Sequence, residues 1–534
     1  MLADLGLVDG LQDIIAQNPA TVDHHVGDRD AVFAIDDPLD HVVERDEGHE
    51  FKFGSTSSPC WPASIMPSLP PKPSARAHSE VAARSCSAYT SEMGGHGGTL
   101  AESSIPERLE ALERHIVALN PVYRAYSRLA PIDRDFVRWL EEERMAERPC
   151  SAIHGLFVSV KGSIPVVGLP WTEGSAIFVD RIASRDAGIV ARARAAGGII
   201  VGTTTLSELA MYGVENAFEP MGLNPWDVRR TAGGSSTGAG VAASLGLADV
   251  NIGTDSGGSI RNPACHCGVV GFMPRIGALS LEGKPNHTPS LSTVGLIARS
   301  VPIVMRAFTA LGGGEDQVEP AKRLIVPVRL IEKMSDGATL AIFRNALERL
   351  RSAGLELVER EIEGWLEAER AAGVISLFEC GRALAAMDLT RATEGIRKRA
   401  ALAKALPDED VAAARNAAAS FKVALGEMID ASRSDATVTP TWPFAAPLID
   451  ATTAPVNGRD VPIDPHRNCF VRAANAVDAC ALTLPAGLYP DEQVPAGIQF
   501  MAPGGRECQL LAAAALAEEA LPILPAAPPL HSAT

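Results

Sequence analysis

The chain has 534 residues and a formal net charge of −17, from 48 lysines and arginines against 65 aspartates and glutamates. This length is enough to bury a sizeable core, either as one large α/β domain with an appendage or as two or three ordinary domains. The acidic balance argues against a nucleic-acid surface, because a phosphate-binding footprint needs clustered lysine and arginine that this sequence does not contain.

Apolar runs and cysteines bear on the location of the protein. No run reaches the roughly 18 apolar residues of a membrane span, and residues 1–22 carry acids where a signal peptide has a basic start and an apolar middle. The nine cysteines are dispersed and odd in number, which is typical of reduced thiols. We therefore expect a cytoplasmic protein with no nucleic-acid partner and no membrane partner.

Residues 1–98 differ in composition from the rest of the chain. The stretch 23–50 is rich in acids and histidine, and 57–79 is rich in serine, proline and alanine without apolar periodicity. Such segments bury too little apolar surface to offset the entropy of ordering them. The predicted organisation is a disordered or loosely attached extension at 1–98, one main domain at 99–525 and a C-terminal tail at 526–534.

The first predicted elements of the main domain follow from apolar spacing. Apolar residues recur at helical spacing over 104–126, with Ser104 placed as the N-cap, which predicts an amphipathic helix. The runs 156–162 and 197–206 are apolar, β-branched and bounded by glycine, and a helical pattern at 186–196 separates them. This alternation predicts an α/β fold with a central mixed, largely parallel sheet covered by helices on both faces.

Later segments continue this pattern. Residues 240–248 are small and apolar, as in a buried helix, and 249–261 read as a strand that enters a glycine turn. A helix followed by a strand is predicted over 338–362, a buried strand over 480–488 and a closing helix over 507–521. The sequence Cys265-His266-Cys267 lacks the separated ligand pairs of a zinc site, so we interpret it as packed core and expect no metal.

The stretch TAGGSSTGAG, residues 231–240, places two serines and a threonine among glycines and alanines. A phosphate-binding P-loop would need a lysine after its last glycine, and here Ala239 follows Gly238. The segment 238–243 has the spacing of a dinucleotide-binding loop but no strand immediately before it, which makes the match weak. Two interpretations stay open: the hydroxyls cap the next helix, or one serine belongs to a catalytic relay.

A second glycine turn, GTDSGGSIR, favours the catalytic interpretation. Ser259 follows two glycines after a predicted strand, where a tight turn can expose its hydroxyl. The backbone amides of Ser256, Gly257, Gly258 and Ser259 can converge there on a developing oxyanion, because glycine lets the backbone approach a carbonyl group closely.

The serine of this turn needs a base. No histidine stands in a matching local motif. Lys161 ends a predicted strand in an apolar setting, and burial lowers the pKa of a lysine and frees its lone pair. Lys161 is therefore the candidate base.

Three segments together resemble the signature of a known family. They are SVKG at 159–162, GGSST at 233–237 and GTDSGGSIR at 253–261, and they resemble the amidase signature family, whose members use a Ser-cisSer-Lys triad. Supporting segments lie at 196–211, 224–236, 268–274, 292–301 and 484–503. The resemblance runs from about residue 101 to 522, and it implies the amidase signature fold for this region.

The resemblance also implies a role for each member of the triad. Ser259 is then the nucleophile, Lys161 the general base, and Ser235 the bridging serine whose preceding peptide bond is cis in the family. Gly233 and Gly234 would ease the backbone at that bond.

Neighbouring residues of the two glycine segments acquire roles as well. Asp255 and Arg261 flank the nucleophile and, by the same resemblance, organise its turn through a charge-assisted contact. The alternative is a pair of surface charges that happen to flank a turn. We expect Ser236 to hydrogen-bond locally.

The sequence departs from the family pattern at four positions. Members commonly carry aspartate after the lysine and glycine after the paired serines, where this chain has Gly162 and Thr237. Asp478 and Cys480 stand where many relatives have glycine and proline, which indicates a subgroup away from the tRNA-linked amidotransferase subunits.

The resemblance predicts a hydrolase that cleaves a carboxylic amide to an acid and ammonia or an amine, with no metal or organic cofactor. The alternatives are a glutamine-hydrolysing component of an amidotransferase and a catalytically impaired binding homologue, and an esterase side activity is compatible with the same triad. The expected partner is a small-molecule amide, and a homodimer stays open. Trp171, Met211, Tyr212 and Trp442 are candidate walls of the substrate pocket, with ordinary core as the alternative for each.

Overall fold

The structure is a computed structural model that describes residues 103–211, 216, 218–314 and 319–527. All of these residues belong to one compact unit. The boundary predicted between residues 98 and 99 lies outside the described residues, as does Tyr212.

The helices are α1 (Ile105–Tyr123), α2 (Arg134–Met145), α3 (Gly188–Ala195), α4 (Thr237–Leu245), α5 (Arg261–Cys267), α6 (Val301–Ala310), α7 (Val328–Met334), α8 (Gly337–Ser352), α9 (Trp365–Ala385), α10 (Glu394–Lys404), α11 (Asp408–Ser432), α12 (Ile463–His466), α13 (Arg472–Ala476) and α14 (Glu507–Ala520). The strands are β1 (Tyr126–Leu129), β2 (Phe157–Lys161), β3 (Ile199–Thr204), β4 (Val250–Asp255), β5 (Val270–Met273), β6 (Thr293–Ala298), β7 (Arg323–Val326), β8 (Glu356–Glu359), β9 (Ala436–Pro440), β10 (Thr453–Val456), β11 (Arg459–Pro462), β12 (Cys480–Leu488) and β13 (Pro495–Ala502).

Eleven strands form one sheet in the order β1-β3-β2-β4-β6-β5-β12-β13-β9-β7-β8, and β10 and β11 pair separately. The sheet is parallel within β3-β2-β4 and within β9-β7-β8. Its remaining neighbours are antiparallel, including the long pair of β12 and β13. The predicted mixed α/β sheet is confirmed, and its parallel part consists of two blocks of three strands.

The predicted elements of the sequence correspond to observed ones, with ends that differ by a few residues. Helix α1 begins after Ser104, whose side chain accepts from the backbone N–H of Glu107 while the Glu107 side chain accepts from the backbone of Ser104. This reciprocal capping box satisfies two donors at the start of the helix. Helix α4 begins at Thr237, three residues before the predicted start at residue 240.

Helices cover both faces of the sheet because successive strand residues point to opposite sides. Leu482 and Phe500 pack with helices α3, α6, α8 and α14 in one apolar cluster. Their chain neighbours Ala481 and Met501 pack with α9 and α11 in another. At the other end of the sheet, α1, α2 and α4 cover this second face.

The stretch between β8 and β9 consists largely of helices α9, α10 and α11, for which the sequence pattern gave no prediction. Trp365 of α9 packs edge to face on Phe421 of α11, with ring centroids 5.6 Å apart. The Trp365 indole N–H donates to the carbonyl of Cys469, which ties this helical layer to the segment before α13.

The parallel block β3-β2-β4 positions the site. Carboxyl ends of parallel strands meet at one edge of a sheet, where ligand sites of α/β folds commonly form. Lys161 ends β2 and Asp255 ends β4 at this edge. Strand β6 runs antiparallel to β4, with Thr293 opposite Asp255, so the loop that precedes β6 reaches the same edge.

Candidate active site

Lys161 is fully buried at the end of β2. Val158 and Val160 belong to the apolar cluster on one face of the sheet, whereas Phe157 belongs to the cluster that includes α4. Because side chains alternate along a strand, Lys161 lies on the face of Phe157, toward α4. Its Nζ donates to Ser235 Oγ at 2.6 Å and to Thr254 Oγ1 at 2.8 Å.

The surroundings of Lys161 favour the neutral amine. Burial lowers the pKa of Lys161 well below its usual range, and the positive charge of Lys284 lowers it further, while the negative charge of Asp255 opposes both. Desolvation disfavours a charged lysine, so the lone pair of Nζ is available to accept a proton.

Ser235 belongs to the loop that enters α4 and is buried. The peptide bond between Gly234 and Ser235 is cis, as the family resemblance implied. Gly233 has a φ of 78°, and a Cβ at this position would lie 2.7 Å from backbone atoms of Pro263. Both the conformation and the close approach require glycine at position 233.

The two other hydroxyls of this loop bond differently. Ser236 Oγ donates to the carbonyl of Thr254 at 3.1 Å, and the Ser236 N–H donates to the carbonyl of Ser259 at 3.1 Å. Thr237 Oγ1 donates to the carbonyl of Gly233 at 2.8 Å. Ser236 thus bonds to β4 and to the turn of Ser259, not within its own loop as expected, whereas Thr237 closes the loop with its hydroxyl.

Gly162, the other departure beside the triad, follows Lys161 at the end of β2. A Cβ at this position would lie 3.0 Å from the carbonyl oxygen of Thr204 and 3.0 Å from a methyl carbon of Leu206. The neighbouring backbone of β3 therefore leaves little room for a side chain here.

The turn of the candidate nucleophile Ser259, residues 256–260 (the nucleophile turn), is built around the carboxylate of Asp255. One oxygen, Oδ1, accepts from the amides of Gly257 at 3.1 Å and Gly258 at 2.7 Å, and the other, Oδ2, accepts from the amide of Ile260 at 3.1 Å. Gly258 has a φ of 108°, which only glycine adopts easily. The carboxylate thus fixes the path of the backbone on both sides of Ser259.

Arg261 and Asp255 form a fully buried ion pair. Nε and Nη2 of Arg261 donate to the two carboxylate oxygens at 3.1 and 3.0 Å. Burial alone would raise the pKa of Asp255, but the charge and hydrogen bonds of Arg261, with those of the turn amides, hold it well below its usual range. The charge-assisted contact implied by the resemblance is present, and the alternative of two surface charges is wrong.

Arg261 also connects the turn to β13 and to the region of α13. Its Nη1 donates to the carbonyl of Val471 at 2.6 Å and to Gln499 Oε1 at 2.7 Å, and its Nη2 donates to Asn475 Oδ1 at 2.7 Å. Asn475 in turn donates to Asp255 Oδ1 at 3.0 Å. This network satisfies the guanidinium within the core.

Ser259 lines a cavity of about 550 Å³ together with Ser256, Gly257 and Thr254. Its side chain is partly exposed, whereas Lys161 and Ser235 are 0% and 1% exposed. Gly234, the residue before Ser235, and Thr254, which accepts from Lys161 Nζ, line the same cavity as Ser259, so the three triad candidates lie in one region of the structure.

The four candidate pocket residues are placed differently from one another. Met211 lines the cavity. Trp171 donates its indole N–H to the carbonyl of Ser163 at 3.1 Å, and Arg181 stacks on its ring 3.7 Å from the centroid. Trp442 is buried in a core cluster with its ring centroid 4.5 Å from that of His266. For Trp442 the structure supports the core alternative, and Tyr212 lies outside the described residues.

The Cys265-His266-Cys267 sequence forms part of helix α5 and is buried. Burial raises the pKa of Cys265 to about 12 and lowers the pKa of His266 to about 3, because a charged side chain is disfavoured there. Among the described residues, no group of three or more histidine, cysteine or acidic side chains is arranged to hold a metal ion.

Sequence reasoning missed most of the remaining cavity lining. The opposite wall consists of residues of α9 and α10, and further lining residues come from the loop before β6, from α12 and α13 and from the segment between these two helices. These residues are Lys284, Pro285, His287, Thr288, Ser292, Gly373, Ser376, Leu377, Cys380, Gly395, Lys398, Arg399, Leu402, Asp464, Arg467, Asn468 and Arg472. Lys398 and Arg399 are consecutive residues of one helix and Lys284 lies in a loop, so no motif or periodic pattern in the sequence marked these residues.

No helix within the described ranges combines the length and the apolar composition that crossing a bilayer needs.

Known proteins share this sequence pattern and this architecture. The family model described as Amidase matches residues 109–511. The A subunit of the glutamyl-tRNA(Gln) amidotransferase of Salinispora arenicola is 30% identical over 479 residues, which cover 79% of this chain and 94% of the relative. The corresponding protein of Sulfurisphaera tokodaii is 28% identical over 301 residues, which cover 53% of this chain and 61% of the relative. A crystal structure of an amidase matches with a TM-score of 0.72 and 25% identity, over 79% of this chain and 97% of the other.

The sheet, its helical layers and the family match together define a protein of the amidase class, which is a class of hydrolases. The chain belongs to the amidase signature family. The family and the fold predicted from the sequence are therefore confirmed.

Proposed function

We propose that this protein hydrolyses a carboxylic amide through an acyl-enzyme on Ser259, with Ser235 and Lys161 as the proton relay. The observation that carries the proposal is the 2.6 Å hydrogen bond between Lys161 Nζ and Ser235 Oγ, made by a lysine with no solvent exposure. An amine whose pKa is lowered by burial and which is bonded to a serine hydroxyl is suited to general-base catalysis.

The proposed reaction begins when Ser259 Oγ attacks the amide carbonyl carbon. The Ser259 proton passes to Ser235 Oγ, and the proton of Ser235 passes to the lone pair of Lys161 Nζ. When the tetrahedral intermediate collapses, the carbon–nitrogen bond breaks and the relay returns one proton to the leaving nitrogen. Water, deprotonated by the same relay, then attacks the ester and releases the acid, which restores the Ser259 hydroxyl.

Backbone amides of the nucleophile turn would stabilise the oxyanion. The amides of Gly257 and Gly258 already donate to Asp255 Oδ1. An oxyanion would therefore share these two donors with the carboxylate or take the amides of Ser256 and Ser259. In either case Asp255 sets the direction of the amides before substrate arrives.

Single and double variants test the relay. Ser259→Ala should abolish acylation, because no nucleophile is left. Lys161→Ala and Ser235→Ala should each lower amide kcat/KM by roughly 100- to 10,000-fold, the usual contribution of general acid–base catalysis. The double variant Lys161→Ala/Ser235→Ala should be little worse than the poorer single one, because a broken relay is not broken further.

The measurement is ammonia or amine release from a panel of aliphatic, aryl and amino-acid amides, with matched esters, and circular dichroism as the check on folding. Ser236→Ala is the matched control, since the Ser236 hydroxyl donates to the carbonyl of Thr254 and accepts from its N–H. Its loss should be far smaller than that of Ser235→Ala. Additive losses in the double variant, or near-native amide turnover by Lys161→Ala, would contradict the relay.

The similarity to relatives named as amidotransferase subunits supports a second candidate function. In that case the chain would act on glutamine and pass ammonia to a substrate held by partner subunits. Turnover that depends on glutamine, together with copurification of further subunits, would favour it. Absence of labelling of Ser259 by a serine-reactive probe would instead favour a binding homologue without catalysis.

A further inference from the structure

Positively charged side chains outnumber negatively charged ones in the cavity lining. Its lining includes five lysine and arginine side chains, one histidine and two carboxylates. The lysines and arginines are Lys284, Lys398, Arg399, Arg467 and Arg472, the histidine is His287, and the carboxylates are those of Glu173 and Asp464. The space in front of Ser259 is therefore positively charged overall, which favours a negatively charged ligand.

Three of these cations already have carboxylate partners. Lys398 pairs with Glu394 at 2.7 Å, Arg467 with Asp464 at 2.7 Å and Arg472 with Glu369 at 2.9 Å. Each distance joins a side-chain nitrogen to a carboxylate oxygen. The last two pairs hold both arginines in the wall of the cavity. The charges of all three cations are thus largely compensated by the protein itself.

Lys284 is compensated differently. Its Nζ donates to Ser292 Oγ at 3.1 Å and to the carbonyl of Pro285 at 3.0 Å, which are both neutral acceptors. No carboxylate of the described residues lies within 4.0 Å of this ammonium group. Arg399, on the opposite wall, likewise donates to the neutral oxygen of Ser376 at 3.1 Å.

The strand register places Lys284 beside the nucleophile turn. Asp255 is opposite Thr293 in the antiparallel pair of β4 and β6, so Ser292, the residue before Thr293, faces the start of the turn. In the same loop, Thr288 Oγ1 donates to Ser256 Oγ at 3.0 Å. The Nζ that Ser292 holds is therefore close to the reacting centre, and its charge acts on Lys161.

We propose that Lys284 binds a carboxylate in the acyl part of the substrate, a few bonds from the scissile carbonyl. The substrate class is then the half-amides of short dicarboxylic acids and related acidic amides. This inference rests on the proposed amide hydrolysis and adds the chemistry by which the cavity selects among amides.

Physical chemistry gives the expected size of the selection. A hydrogen bond from an ammonium group to a carboxylate is shorter and stronger than one to a neutral group. A neutral substrate of the same shape leaves Lys284 without a carboxylate in direct contact, although the more distant negative charge of Glu173 still acts on it. Such a charge-assisted bond corresponds to roughly a 10- to 100-fold preference in kcat/KM.

The experiment compares isosteric pairs of primary amides, one acidic and one neutral, such as succinamate with 3-nitropropanamide and glutaramate with 4-nitrobutanamide, in which an uncharged nitro group replaces the carboxylate. Ammonia release gives kcat/KM for each substrate, and the ratio of acidic to neutral is taken within each protein. A general loss of activity cancels in this ratio. The proteins are the wild type, Lys284→Met, Lys284→Arg and the matched control Lys398→Met, which removes a cavity charge already paired with Glu394.

We expect the wild type to prefer the acidic substrate and Lys284→Met to lose that preference, mainly through a higher KM for the acidic substrate. Lys284→Arg should keep part of the preference. Lys398→Met should keep all of it. Equal or better turnover of the neutral member by the wild type would overturn the inference while leaving amide hydrolysis intact. An equal fall of the ratio in Lys398→Met, or a fall in Arg399→Met but not in Lys284→Met, would overturn the assignment to Lys284. If no amide of either charge is cleaved and Ser259 is not acylated, the proposed function itself fails.

Discussion

Replacing Arg261 by methionine tests how the nucleophile turn is held. The substitution keeps much of the side-chain volume but removes the charge and the five hydrogen bonds that Arg261 donates. Asp255 would remain buried with only backbone amides and Asn475 as donors. Removing one partner of a buried ion pair typically costs about 3–5 kcal/mol, because the other charge is left uncompensated. That is a large part of the roughly 5–15 kcal/mol by which native proteins are stable.

Urea unfolding followed by circular dichroism measures this loss as a lower midpoint at unchanged slope. The difference in unfolding free energy between Arg261→Met and the wild type should shrink as the pH falls from neutral toward 4. In the variant, burial raises the pKa of Asp255, so protonation of the folded state relieves the uncompensated charge. In the wild type the pKa of Asp255 is lowered instead, and its contribution to stability is lost only at more acidic pH.

The controls separate the ion pair from a general effect of losing an arginine. Arg229→Met makes the same change where Arg229 is 79% exposed beside Asp227, and it should leave the midpoint unchanged. The double variant Asp255→Asn/Arg261→Met should lose less than the sum of its single variants, because the neutral amide needs no counter-charge. A midpoint for Arg261→Met equal to that of the wild type, or strictly additive losses, would refute the reasoning.

Two further predictions concern the relay and its loop. Gly233→Ala should lower both stability and turnover by more than Gly168→Ala. Both glycines have φ near 80°, but of the two only Gly233 lies against neighbouring backbone. Equal unfolding midpoints for the two variants would contradict this. The acidic limb of the kcat/KM profile should report protonation of Lys161, so activity falls as the pH drops through the pKa of this lysine. Thr254→Val removes an acceptor of the ammonium form and should move that limb to lower pH, and a shift to higher pH would count against Lys161 as the base.

The sequence predicted the reactive half of the site because its signals are local. Lys161, Ser235 and Ser259 each lie at the end of a strand or the start of a helix, in short motifs whose glycines have specific backbone roles. The opposite wall could not be predicted in this way. Arg399 lies on α10, and its place in the cavity depends on the packing of α10 against α9, which no short motif records.

Proximity along the chain was also a poor guide to proximity in space. Trp442 follows β9 closely and was a candidate pocket wall, yet it packs on His266 in the core. Lys284 has no motif around it, and its position emerges only from the register of β6 on β4. The position of Lys284 therefore depends on pairing between strands, which local sequence patterns do not predict.

The two walls of the cavity come from separate stretches of the polypeptide. The triad candidates and the nucleophile turn lie between residues 161 and 260, whereas α9 and α10 contribute their lining residues from 373 to 402. Changes in the coding sequence for 373–402 can therefore alter the shape and charge of the cavity while the triad candidates stay as they are. A library of variants restricted to these lining positions would explore new ligands without changing the residues proposed to catalyse the reaction.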